Sequence, residues 1–124
     1  VLTAAGYGRI VSVGSTTGTV NAMPGQSTYT AAKAGLVGLS RSLALEVVGK
    51  GVTVNVVAPG YIATGSQLSF EAAAAAAGPI GRSGTPQEIA ACVLFLAHES
   101  ASFVTGAVLV ADGGHGLPET WPRP

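Results

Sequence analysis

Tyr29 and Lys33 stand four residues apart at the start of a long apolar segment. On a helix, two side chains at that spacing project from one face within reach of each other. An ammonium held beside a phenol favours the phenolate, a group that otherwise forms only near pH ~10. Tyr29 is thereby suited to give or take a proton near neutral pH. Ser15 adds a hydroxyl in the loop Ser15-Thr16-Thr17-Gly18. It reads either as a turn residue bonding its own backbone or as a group that meets a ligand. With Tyr29 as base and Lys33 tuning it, Ser15 also fits a cofactor-free serine hydrolase or esterase, in which it would be the nucleophile. No His/Cys/Asp cluster has metal-site spacing, so no metal is expected.

The elements that must position these groups follow from the surrounding pattern. Val1 to Ala5 followed by Gly6 reads as the last turn of a helix, and a chain starting there is expected to continue missing sequence. Arg9 to Gly14 reads as a buried strand. Ser15 lies just past its C-terminal end, the edge at which open α/β sheets take ligands. After a loop turned by Pro24-Gly25, Ser27 or Thr28 offers an N-cap for a helix that Lys50-Gly51 ends. One apolar set on this helix includes Tyr29, Leu36, Leu39 and Leu43, and a second includes Val37, Leu45 and Val48. Two apolar sides predict burial against the sheet and against another helix or subunit.

Gly51 to Ala58 reads as a second buried strand, parallel to the first because a helix joins them. Asn55 within it is expected to satisfy neighbouring backbone groups. Pro59-Gly60 then breaks the strand at the same edge as Ser15. Gln67 to Ala77, with six consecutive alanines, predicts a small, weakly anchored helix. Thr85, Pro86 and Glu88 mark the start of a helix over Gln87 to His98. Ala107 to Val110 reads as a third strand, ending at Asp112-Gly113-Gly114. Trp121, in an irregular tail, is expected to cover an apolar edge or a partner subunit. His98 and His115 read as ordinary surface or loop residues.

Composition narrows the classes. The 124 residues are 48% hydrophobic and only 10% charged, with zero formal net charge. No basic patch suggests nucleic acid, and no apolar run reaches the ~20 residues of a membrane span. Low charge and high apolar content predict extensive buried surface, including a subunit interface. Cys92 is the one cysteine; it excludes an internal disulfide, fits a reducing cytoplasm and reads as a small buried hydrophobe.

From Gly8 to Gly114 the chain resembles the C-terminal half of a short-chain dehydrogenase/reductase, most similar to the 3-oxoacyl-[acyl-carrier-protein] reductase type. The resemblance is carried by Gly8-Arg9-Ile10-Val11-Ser12-Val13-Gly14-Ser15, Tyr29-Thr30-Ala31-Ala32-Lys33-Ala34-Gly35, and Val54 through Thr64. It continues with Gly81-Arg82-Ser83-Gly84-Thr85-Pro86-Gln87-Glu88-Ile89-Ala90 and closes with Thr105-Gly106 through Asp112-Gly113-Gly114. It implies a Rossmann-like doubly wound parallel α/β sheet, of which residues 1–124 are the C-terminal catalytic half, with about three strands and two main helices. It implies a carbonyl/alcohol oxidoreductase using NAD or NADP, in which Ser15 binds the substrate oxygen and Tyr29 exchanges the proton. Lys33 would hold the nicotinamide ribose and tune Tyr29. Pro59, Gly60, Ile62 and Thr64 would line the nicotinamide, and Ser66 to Ala77 would form a substrate lid. The resemblance also implies an N-terminal dinucleotide-binding half with a glycine-rich turn, which residues 1–124 are expected to lack, so the cofactor site is expected to be incomplete within them. The sheet's inner edge is expected to lack its neighbours. A cytoplasmic homo-oligomer, dimer or tetramer, is the expected assembly. A third reading is a truncated, non-catalytic oligomeric remnant.

Overall fold

Three runs rich in β-branched residues, β1 (Gly8–Val13), β2 (Val52–Pro59) and β3 (Val108–Ala111), form one parallel sheet in the order β1-β2-β3. The structure is a computed structural model, and it describes residues 1–117. Gly8 pairs with Val52 and Val13 with Val57; Val56 pairs with Val108 and Pro59 with Ala111. Central β2 is buried at every position from Val52 to Ala58. Both of its faces are therefore covered, which is the environment that a continuous apolar strand requires. Asn55 is fully buried there. Its Nδ2 donates to Val104 O at 2.8 Å and its Oδ1 accepts from Ala107 N at 3.0 Å, so it ties the loop before β3 to β2 as expected.

The chain opens with one helical turn, α1 (Leu2–Ala5), closed by Gly6 at φ +67°. The long helix α2 (Ser27–Val47) packs on β2. A 3-10 turn, Val48–Lys50, then leads to Gly51 at φ +72°. One expectation for α2 needs correction. Neither Ser27 nor Thr28 caps it: the position before the helix is Gln26, with no side-chain cap. The chain enters through main-chain bonds instead, Gln26 N to Met23 O and Thr30 N to Gln26 O. The sheet-facing side overlaps the apolar sets only in part. Ser40 and Ala44 are its buried residues, in line at helical spacing with the half-buried Lys33, Val37 and Val47. Leu36 and Leu43 of the first apolar set are half-buried as well, while Leu39, Leu45 and Val48 are exposed, Leu45 by 83%.

The short helix α3 (Ser69–Ala76) starts two residues later than expected, where the Glu71 carboxylate accepts the Leu68 N–H at 2.8 Å. Helix α4 (Pro86–Ala97) packs against all three strands. It begins with the expected box: Thr85 Oγ1 accepts from Glu88 N and Glu88 Oε2 accepts from Thr85 N. Among the described residues β1 pairs with β2 alone, so its other edge has no neighbouring strand. Trp121 lies outside the described residues.

Candidate active site

All three strands run parallel and end at one edge, and their following loops converge there. The loop after β1 carries Ser15. Gly14 N donates to Val57 O and Thr16 N to Pro59 O, which fixes this loop to the end of β2. Ser15 Oγ accepts from Thr17 N at 3.1 Å. The turn reading of Ser15 therefore holds, and it leaves the hydroxyl proton available to donate to another group. Gly18, at φ +96°, allows the loop to press on α2, because a Cβ there would meet Thr30 O at 2.7 Å.

Tyr29 sits in the first turn of α2, 44% exposed. Ser15 and Tyr29 line one cleft of about 510 Å³, together with Gly60 and Tyr61 after β2 and Leu68 and Phe70 around the start of α3. Lys33 is one helical turn on. Its Nζ lies 5.5 Å from the centre of the Tyr29 ring, a cation–π distance, and donates to Val13 O at 3.1 Å. Phenol and ammonium thus share one face of α2, and the last residue of β1 holds the ammonium in place.

The remaining cofactor-lining expectations divide. Gly60 lines the cleft, and it also lines an adjoining hollow of about 240 Å³ that includes Ile62 and Thr64. Pro59 lines neither and acts through its main-chain oxygen. A Cβ at Gly60 would meet Asp112 Cβ at 2.7 Å, so this loop lies directly on the turn after β3. Thr64 Oγ1 lies 3.2 Å from Ser66 Oγ.

One cleft residue was not singled out from the sequence. His115 lines the same cleft and meets Tyr61 edge-on, with ring centres 5.0 Å apart and planes at 84°. Its position after the third strand end was the available signal. His98, by contrast, is a local element: its Nδ1 lies 2.8 Å from Ser100 Oγ.

A second cavity, about 500 Å³, is lined by Arg82, Glu88 and Cys92 among others. Arg82 Nη2 and Glu88 Oε1 are 2.7 Å apart. The guanidinium, helped by the Thr85 N–H, holds the Glu88 carboxyl well below the usual carboxylate range, at about 2. Among the described residues no group of His, Cys, Asp and Glu could hold a metal ion. No described helix is long and apolar enough to cross a membrane.

Residues 1–116 match the family model described as Enoyl-(Acyl carrier protein) reductase. The chain belongs to the short-chain dehydrogenase/reductase family. It is 50% identical over 111 residues to the 3-oxoacyl-[acyl-carrier-protein] reductase FabG of Salmonella typhimurium, covering 86% of this chain and 45% of the relative. It is 46% identical over 118 residues to the cis-4-hydroxycyclohexanecarboxylate dehydrogenase of Sinomonas cyclohexanicum, covering 92% and 47%. The crystal structure of acetoin dehydrogenase YohF from Salmonella typhimurium superposes with a TM-score of 0.81 at 40% identity, covering 94% of this chain and 46% of that one. The chain thus spans about half the length of the family members it matches, and within that half it has the family's α/β Rossmann-like fold.

Proposed function

We propose that these residues are the C-terminal, catalytic half of a nicotinamide-dependent carbonyl/alcohol oxidoreductase. The observation that carries the reading is the convergence of Ser15 and Tyr29 on one cleft, with the Lys33 ammonium against the Tyr29 ring. Relatives named as reductases and dehydrogenases support the same class.

The residues present fit the nicotinamide end of NAD or NADP. Lys33 uses one N–H on Val13 O and has two left for ribose hydroxyls. Gly60 lines the cleft, with Ile62 and the Thr64 hydroxyl in the hollow beside it for a carboxamide. When bound, the cofactor supplies the hydride. In reduction, Ser15 donates its hydroxyl hydrogen bond to the substrate oxygen and fixes the carbonyl. Tyr29 delivers a proton to that oxygen as negative charge builds on it. Lys33, with its ammonium against the ring, holds Tyr29 in line. In oxidation the same groups run in reverse. Leu68 and Phe70 give the cleft an apolar wall for the rest of the substrate.

A homo-oligomer fits the apolar side chains that α2 and α4 leave uncovered, Leu39 and Leu45 on one and Leu94 and Phe95 on the other. The single cysteine fits a reducing cytoplasm. The hydrolase reading gains no support: among the described residues the Ser15 hydroxyl accepts from a backbone N–H and has no hydrogen bond to Tyr29 or Lys33, whereas a nucleophile is activated by its base.

The test is a fluorescence titration with NADH and NADPH, on the longest chain that carries these residues. Saturable binding that weakens about tenfold or more in Lys33→Met is expected, from loss of a charged hydrogen bond. Binding unaffected by Lys33→Met would remove the assigned cofactor role.

A further inference from the structure

We propose that His115 is a specificity-determining residue of the cleft, and that it selects substrates with a second oxygen acceptor besides the reacting carbonyl or hydroxyl. The inference rests on the oxidoreductase reading of Ser15 and Tyr29 and deepens it. His115 follows β3, as Ser15 follows β1 and Tyr61 follows β2, and all three line one cleft.

The segment bearing His115 is held by several independent contacts. Asp112 Oδ1 accepts from Gly114 N at 2.9 Å, and its Oδ2 accepts from Gly116 N at 2.8 Å. His115 N donates to Asp112 O at 3.2 Å. Gly113 and Gly114 take φ +62° and +81°, a left-handed bend that side-chain-bearing residues rarely adopt. The ring itself is placed by the edge-on contact with Tyr61. On another side it lies against Gly78, where a Cβ would come within 2.6 Å of Nδ1. A glycine at 78 is thus the condition for the imidazole to sit where it does.

An imidazole so fixed adds an N–H donor to a cleft whose α3 side presents Leu68 and Phe70 beside the Glu71 carboxylate. Neutral or charged, the ring has an N–H donor, which an oxygen acceptor on the substrate satisfies. Glu71, the carboxylate lining the cleft, is engaged by the Leu68 N–H. Carbonyl and carboxylate oxygens share the acceptor chemistry, and the test separates them.

The experiment measures NAD(P)H-dependent reduction by the longest chain that carries these residues. Butanone and pentanone serve as one-oxygen probes; diacetyl, with a second carbonyl, and acetoacetate and levulinate, with a carboxylate, serve on comparable carbon skeletons as probes with a second oxygen-bearing group, called two-oxygen probes below. Tyr29→Phe is run alongside, with thermal melting for every variant. His115→Phe keeps a ring against Tyr61 and removes the N–H. It is expected to lower the ratio of kcat/KM for at least one two-oxygen probe over its one-oxygen partner about tenfold, the worth of one hydrogen bond. The loss is expected to fall mainly on KM, and His115→Gln, which retains an N–H donor, is expected to restore part of it. A loss for diacetyl identifies a carbonyl acceptor; a loss confined to acetoacetate and levulinate identifies a carboxylate. Equal losses for one- and two-oxygen probes, or none, would overturn the assignment. If Tyr29→Phe still abolishes reduction in that case, the oxidoreductase reading survives without it. No reduction of any probe by the unmutated protein would sink both.

Discussion

Two regions of this chain treat their polar groups in opposite ways. In the scaffold of β2 and α4, polar side chains are used up internally. Both ends of the Asn55 amide are bonded, and Thr85 and Glu88 cap α4 reciprocally. At the C-terminal edge of the sheet, polar groups keep capacity in reserve. Tyr29 stands in a helix turn without a side-chain cap and is nearly half exposed. Ser15 accepts one bond and retains its proton. Satisfied groups make a rigid frame, and groups with unused donors on that frame can meet a ligand.

Several substitutions would break or sharpen that contrast, starting with the largest expected effect. Asn55→Leu leaves the Ala107 N–H and the Val104 carbonyl without partners, and is expected to destabilise the fold by about 2–4 kcal/mol. Urea denaturation measures it; a loss under about 1 kcal/mol would mean that the frame does not depend on this tie. The two helix starts make a matched pair. Thr85→Ala is expected to cost about 1 kcal/mol as a lost cap, whereas Ser27→Ala, inside α2 and capping nothing, is expected to cost under about 0.5 kcal/mol. Equal costs in thermal melts would erase the distinction between the helices.

The Arg82–Glu88 pair predicts a pH effect. Its carboxyl is held at about 2, below the usual 4.5. The folded state therefore resists protonation, so the stabilisation is complete above the ordinary value and is lost as pH falls toward 2. Melting temperatures of the unmutated protein and Glu88→Gln are expected to differ near neutral pH and converge in acid. The gap should be small, since both partners are half exposed and salt screens them. A gap that widens in acid would reverse the sign. Smallest is the exception inside the frame. Thr53 Oγ1 is buried without a partner among the described residues. Thr53→Val removes an unsatisfied hydroxyl at nearly constant shape, and is expected to be neutral or stabilising by up to ~1 kcal/mol. A clear loss of stability would show that the hydroxyl is in use.

The frame was largely legible in the sequence, because its signals are local. A continuous β-branched run marks β2, and Thr85-Pro86-Gln87-Glu88 announces the start of α4 within four residues. The sheet-facing side of α2 was legible in part: Leu36, Leu43 and Val47 are half-buried, but Lys33, Ser40 and Ala44 share that side while Leu39 and Leu45 are exposed, so hydrophobic spacing alone did not centre the buried stripe. Ser27 and Thr28 have the chemistry of caps, but the turn at Met23 to Gln26 starts the helix earlier through main-chain bonds. Tyr29 and Lys33 could be paired from spacing alone, since a helix turn brings them together. His115 could not be placed, because Tyr61 and Gly78 reach it only through the fold.

The most direct test of the central claim compares Tyr29→Phe with the unmutated protein, in steady-state reduction of a ketone alongside NAD(P)H binding. The phenylalanine ring keeps its place beside Lys33 and removes only the proton donor. The expected result is a kcat lower by about 10²–10⁴-fold, the usual worth of a positioned acid, with cofactor affinity held within about threefold. An unchanged kcat in the folded, cofactor-binding variant would contradict it.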